Sequence, residues 1–339
     1  MAVADVRFKL NTGAEIPALG LGIPLFLFLS HSPSSSLSSL FFNCTDKLGT
    51  WQSAPGEVET AVSHAISVGY RHIDGAFCYQ NEEEVGRGIK KALDAGIVKR
   101  EDLFVTTKLW CTFHTRVEEA LDLSLKNLGL DYVDLYLVHW PTAMNPEGNH
   151  PLFPKLEDGS RDIVHSHSHV TTWKSMEKLM ATGKTKAIGV SNYSKRYLEE
   201  LLPQATIIPA VNQIENHPAL PQQEIIDFCK QHGIIVTAYS PLGSTGGPLF
   251  SAAPIVEVAQ RRGVSPAIVL LSWHVARGTV VLAKSVTPSR IEANRQLIQL
   301  DETDMEIIAK YTADLAANNA FQRFVYPAFG VDFGFPDKS

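Results

Sequence analysis

The sequence predicts an α/β fold, a single-domain (β/α)8 TIM barrel, and three observations predict it. Short β-rich runs alternate with amphipathic stretches throughout the chain after residue 53. Those runs are almost continuously apolar, as strands covered on both faces by helices must be. Seven such runs, with IPALGLG (16–22) ahead of them, make eight, and no GxGxxG follows any of them, which favours a closed parallel barrel over an open dinucleotide-binding sheet. A chain of 339 residues that is 45% hydrophobic can bury the single large core this fold requires.

The elements follow in order. VRFKLNTGAEI reads as a hairpin around a glycine turn, an N-terminal β-hairpin cap for the barrel bottom. IPALGLG (16–22) supplies the first barrel strand, and YRHID (70–74), DLFVTTKLW (102–110) and VDLYLVHW (133–140) the next three. KAIGVSN (186–192), AVNQI (210–214), IIVTAYS (234–240) and TVVLAKS (279–285) complete the set. Between them GEVETAVSHAISVG, NEEEVGRGIKKALDAG and RVEEALDLSLKNLG carry helical periodicity, and each ends on a glycine where a helix C-terminus favours one. After residue 312 the composition turns to Asn, Phe and Pro, which predicts a C-terminal loop tail.

Composition removes several function classes. Thirty basic against thirty-six acidic residues give a net charge of -6 with no Lys/Arg block, so nucleic acid is not an expected partner. Cys44, Cys78, Cys111 and Cys229 form neither a CxxC nor a dense framework, which suits a reducing compartment. The opening MAVADVRFKL lacks an apolar signal region and no apolar run approaches the ~18 residues of a membrane span, so a cytoplasmic protein without membrane contact is expected.

Strands buried on both faces should not end in charged groups without cause, yet successive runs end in Asp74, Lys108 and His139, with Tyr79 shortly after Asp74. One such residue alone is most simply a polar group meeting solvent. Three on consecutive strands, at the barrel face where active sites form, point to a catalytic constellation. These residue types suit proton delivery to an oxygen that gains negative charge. Tyr79 is the acid, Lys108 lowers the cost of its phenolate, Asp74 holds the lysine, and His139 orients the substrate oxygen. Hydride arriving at carbon while a proton reaches oxygen is carbonyl reduction.

RHIDGAFCYQNE, TTKLW and YLVHWP resemble the three motif regions of the aldo-keto reductases, which carry an Asp, Tyr, Lys, His tetrad on a (β/α)8 barrel. The resemblance covers the chain except residues 23–49 and is strongest to fungal and animal aldehyde reductases and glycerol dehydrogenases. It implies a monomer that uses NADP(H), needs no metal, and reversibly reduces aldehydes or ketones to alcohols or polyols. By the same resemblance Ser191, Asn192 and Gln213 hold the nicotinamide carboxamide, Tyr239 stacks on its ring, and Thr50, Ser240, Leu242 and Ser244 lie along the cofactor. Lys284, Ser285, Thr287 and Arg290 resemble the clamp on the 2'-phosphate, where a dianion calls for paired cations and hydroxyl donors, with Asn294 further along the motif. The family usually places a Glu directly before that Asn. Here the position is Ala293, with Glu292 one residue early, so one adenine contact is in question. The competing class is a non-catalytic barrel that binds nucleotide as a regulatory subunit or redox sensor; a damaged tetrad would favour it, and the tetrad is whole.

The pocket should be apolar around one polar point, and Trp51, Phe77, Cys78, Trp110 and Trp140 match the family's pocket positions, with Phe324, Tyr326 and Phe329 available from the tail. HSHSH (165–169) has alternating histidines that could line one face of a strand as metal ligands, but it falls in a predicted solvated loop. Residues 23–49 are atypical: Ser, Leu, Phe and Pro dominate an insertion in the first βα loop. Their codons are pyrimidine-rich, and Gly22-Ile23 and Leu48-Gly49 can encode a GT donor and an AG acceptor. A translated intron is one reading, and a genuine loop, tolerable because closure entropy grows slowly with length, is the other.

Overall fold

The structure is a computed structural model that describes residues 2–23, 56–243 and 247–338. The opening hairpin pairs β1 (Arg7–Lys9) with β2 (Glu15–Pro17). Leu10 and Ile16 from this hairpin pack with Phe104, Leu135, Ala187, Val211 and Val280, which lie at or beside the starts of barrel strands. The hairpin therefore plugs the bottom of the barrel, as expected.

The barrel strands are β3 (Leu19–Gly22), β4 (His72–Asp74), β5 (Phe104–Leu109), β6 (Leu135–Val138), β7 (Ile188–Ser191), β8 (Val211–Glu215), β9 (Ile235–Tyr239) and β10 (Val280–Lys284). They form one closed parallel barrel in chain order, with β10 pairing both β9 and β3. Every residue of β5, β6, β7 and β8 is buried, which explains the unbroken apolar runs seen in the sequence.

Around it lie α1 (Glu57–Ser67), α2 (Glu82–Asp94), α3 (Val117–Leu128), α4 (His169–Leu179), α5 (Lys195–Leu201), α6 (Gln223–Gln231), α7 (Ala253–Arg262), α8 (Pro266–Ala276), α9 (Pro288–Asn294) and α10 (Glu302–Ala317). Helix α1 buries Val58, Ala61, Val62, Ala65 and Ile66, the three-and-four spacing of one helical face. The glycines after α1, α2 and α3, namely Gly69, Gly96 and Gly129, all take positive φ, as their sequence positions implied. Gly86 on α2 has a different purpose: a Cβ there would lie 2.2 Å from the Leu128 carbonyl oxygen, so its absence lets α2 seat against the end of α3.

Helix α10 continues to Ala317, past the expected start of the tail at residue 312, and its start is fixed by a capping box in which Asp301 caps the first turn and Asp304 returns the bond to the Asp301 backbone. The tail beyond it is loop up to a short turn at Pro336–Lys338. Glu215, the buried last residue of β8, pins it: its carboxylate accepts from the backbone N–H groups of Phe324 at 2.7 Å and Val325 at 2.8 Å. Arg323 adds an ion pair to Asp337 at 2.7 Å. Ile23, the first residue of the insertion, is buried and donates its N–H to the Asp74 carbonyl; residues 24–49 lie outside the described residues. Among the described residues no helix is long and apolar enough to cross a membrane.

Candidate active site

Parallel register places three polar strand ends at one rim. Asp74 closes β4, Lys108 is the penultimate residue of β5, and His139 follows β6 directly. Tyr79 ends a single 3-10 turn, Phe77–Tyr79, that brings the chain back over the barrel mouth.

Lys108 is fully buried, and an ammonium taken out of water costs several kcal/mol unless it is paired. Its Nζ donates to Asp74 Oδ1 at 2.5 Å and to the Gly75 carbonyl at 2.8 Å. The second oxygen of Asp74 accepts from Gln213 Nε2 at 2.7 Å, so a bridge crosses the barrel from β5 through β4 to β8. One ammonium proton is left for the phenol of Tyr79, whose ring centroid lies 5.4 Å from Nζ.

The His139 ring meets Tyr79 edge to face, with centroids 5.8 Å apart, and meets Trp110 likewise at 5.2 Å. Its Nδ1 is 3.5 Å from Cys78 Sγ, and its backbone carbonyl accepts from Asn192 Nδ2 at 2.9 Å. Burial and then the nearby Lys108 charge push the imidazole pKa well below its usual value, so the ring is neutral. Burial pushes the Tyr79 phenol well above its usual value, with Cys78, Asp74 and Tyr239 adding to the rise. Lys108 Nζ, 5.4 Å from the ring centroid, is the cation placed to offset that cost when the phenol ionises. At rest the site therefore holds a protonated acid beside a neutral imidazole.

The carboxamide-binding candidates converge next to this group. Ser191 Oγ donates to the Gln213 carbonyl at 2.8 Å, and Asn192 Nδ2 also reaches Ser191 Oγ at 3.1 Å. Tyr239 Oη donates to Asn192 Oδ1 at 2.7 Å. Asn192 and Ser240 both carry positive φ, which turns the chain sharply as it leaves β7 and β9. Amide donors and acceptors beside a half-buried aromatic ring are the chemistry a nicotinamide carboxamide calls for, so these residues fit that group. Lys284 and Arg290 are exposed on the β10 end and α9, with Ser285 Oγ accepting from the Thr287 N–H at 3.1 Å in the turn between them. Leu242 is half-buried and Asn294 buried, whereas Thr50, Trp51 and Ser244 lie outside the described residues.

Glu292, one residue ahead of the family's Glu position, turns towards α1. Its carboxylate lies 3.0 Å from His64 Nε2 and so faces α1.

The candidate pocket residues come partly from strand ends and partly from the tail. Trp110 donates through Nε1 to the Leu152 carbonyl at 2.6 Å, and Phe77 packs edge-on against Phe113 at 5.2 Å. From the tail, Phe329 meets Trp110 at 6.3 Å and Trp140 at 5.9 Å. Phe324 packs instead on His217, and Tyr326 on Phe333. Sequence reasoning missed Phe333, which is fully buried against Trp140 at 4.9 Å, and Glu215, which a rule for polar strand ends would have found. The three histidines of HSHSH do not share a site, and the solvated-loop expectation holds for only part of the run. His167 bonds Thr172 at 2.9 Å, while His169 opens α4, is buried, and bonds Glu200 at 3.1 Å.

Comparison with known proteins agrees with this geometry. The aldo/keto reductase family model matches residues 45–313. The chain is 59% identical over 332 residues to a D-galacturonate reductase from Hypocrea jecorina, covering 98% of each chain. It is 46% identical over 326 residues to glycerol 2-dehydrogenase (NADP(+)) from Saccharomyces cerevisiae, covering 94% of this chain and 93% of that one. Among solved structures it resembles the aldose reductase from Schistosoma japonicum with a TM-score of 0.77 and 38% identity over 90% of this chain and 92% of that one. A closed eight-stranded barrel with this match over most of its length places the chain in the aldo/keto reductase family, as an oxidoreductase that works with a nicotinamide cofactor.

Proposed function

We propose that the chain uses NADPH to reduce short polyhydroxylated aldehydes and ketones to alcohols, reversibly, with Tyr79 as the acid. The observation that carries this reading is the buried Lys108–Asp74 ion pair beneath Tyr79, with neutral His139 on the phenol's other side. A charge pair hidden from water costs more than a well-packed apolar pair would, so it marks a place where chemistry needs it.

The bound dinucleotide supplies a hydride to the carbonyl carbon. The chain's own residues do the rest. His139 donates a hydrogen bond to the carbonyl oxygen and aligns it. Tyr79 releases its proton to that oxygen, and the Lys108 ammonium, held by Asp74, stabilises the phenolate left behind. Ser191, Asn192, Gln213 and Tyr239 hold the nicotinamide end, while Lys284, Ser285, Thr287 and Arg290 clamp the 2'-phosphate. Trp110, Trp140 and Phe329 exclude water.

The substrate class is supported by the relatives named for D-galacturonate and glycerol. Residues 23–49 are, on this reading, a translated intron that the working barrel does not need. NADPH consumption with glyceraldehyde and D-galacturonate tests both points, comparing the 339-residue chain with one lacking residues 23–49. Turnover by the shortened chain supports the reductase, and a transcript found only in the unspliced in-frame form would sink the intron.

A further inference from the structure

A neutral imidazole carries one ring proton, so what His139 can do depends on which nitrogen bears it. Donation to a carbonyl oxygen requires the proton on the nitrogen that faces the substrate. The other nitrogen then has to be kept bare, and something must accept that arrangement. Nδ1 lies 3.5 Å from Cys78 Sγ, leaving Nε2 for the pocket.

Cys78 is 4% exposed, and burial pushes its thiol well above the usual cysteine range, so the sulfur keeps its proton. Of the two ways to arrange a thiol and a neutral imidazole, donation from S–H to nitrogen is the stronger, because imidazole nitrogen is a good acceptor and thiol sulfur a poor one. The reverse arrangement would turn a lone pair of Nε2 towards the substrate oxygen and repel it.

We propose that Cys78 is a positioning residue whose thiol donates to Nδ1 of His139, fixing the Nε2–H tautomer and the ring plane that present a donor to the substrate. The inference rests on the reductase reading above and deepens it. Other contacts agree. Trp110 and Tyr79 confine the ring edge to face at 5.2 and 5.8 Å, and Asn192 Nδ2 holds the His139 carbonyl, so ring rotation is already limited and the proton is the remaining freedom. Cys78 and Tyr79 share one 3-10 turn, which couples the tautomer-setting thiol to the acid.

The test is a long-range 1H–15N spectrum of the full chain labelled with 15N-histidine, with His139 assigned by its loss in His139→Asn. The expected result is a protonated Nε2 and a bare Nδ1 throughout neutral pH. Cys78→Val, which keeps apolar bulk and removes the donor, should give a mixed tautomer. It should also lower kcat roughly fivefold, the equivalent of one neutral hydrogen bond of about 1 kcal/mol, with the Kd for NADPH unchanged. A wild-type His139 protonated on Nδ1 overturns the proposal without any variant. So does a Cys78→Val chain whose tautomer is unaltered, whatever happens to its kcat. If the wild-type chain reduces no carbonyl, the reductase reading fails while the spectrum still decides the tautomer.

Discussion

Lys108 Nζ sits 2.5 Å from Asp74 Oδ1, and neither side chain is more than 4% exposed. This pair is the electrostatic base of the site, and removing either half leaves the other as an uncompensated buried charge. Lys108→Met should therefore destabilise the fold by about 3–5 kcal/mol, read as a lower urea midpoint, and abolish turnover. The double variant Lys108→Met with Asp74→Leu should recover much of the stability and none of the activity. An inactive but fully stable Lys108→Met chain would contradict the pairing.

Histidines buried in the neutral form make the fold acid-sensitive. Burial lowers His72 to about 4 and His114 to about 3, and carries His139 and His274 well below the usual value. The unfolded chain takes up these protons near pH ~6.5 and the folded chain does not, so stability is intact above that pH and falls as pH drops towards the folded values. Each histidine contributes about 1.4 kcal/mol of loss per pH unit in that window. Urea midpoints measured from pH 7 to 5 should fall steadily, and His72→Gln should flatten the profile. A midpoint constant across that range rules out the buried neutral state.

Glu215 ties the tail that carries Phe329 and Phe333 to β8. In Glu215→Gln a single amide faces two N–H donors that the carboxylate now satisfies, and one donor loses its acceptor at about 1–3 kcal/mol. The tail carrying Phe329 and Phe333 should loosen, raising KM for the carbonyl while leaving the NADPH Kd unchanged. Faster proteolytic cleavage after residue 318 checks the same event directly.

The proposed phosphate clamp implies a selective loss. Lys284→Ala and Arg290→Ala should each weaken NADPH roughly tenfold, the worth of a charge-assisted hydrogen bond, and leave NADH binding nearly unchanged. Equal weakening of both cofactors would place the two cations elsewhere.

Much of this site was legible because barrel topology converts sequence order into position. A charged residue at the end of an apolar strand has one place to go, so Asp74, Lys108 and His139 could be assembled from their strands alone. Contacts that depend on long loops were not legible. Phe333 reaches Trp140 and Glu215 reaches Phe324 only because the tail folds back across the barrel mouth, and no local period encodes that path. Glu292 and His64 meet because α9 lies beside α1, a packing choice invisible in either helix. The burial of Tyr79 was not legible for a related reason: a sequence shows which charges lie near a phenol but not how far it is desolvated.

Tyr79→Phe tests the central claim most directly, because it removes one oxygen and leaves the ring against Lys108 and His139. NADPH oxidation with D-galacturonate or glyceraldehyde should fall by about 10²–10⁴, the usual contribution of a positioned acid, while NADPH titrated by its fluorescence binds as before. A Tyr79→Phe chain that binds cofactor and still turns over at the wild-type rate would show that the proton comes from another group.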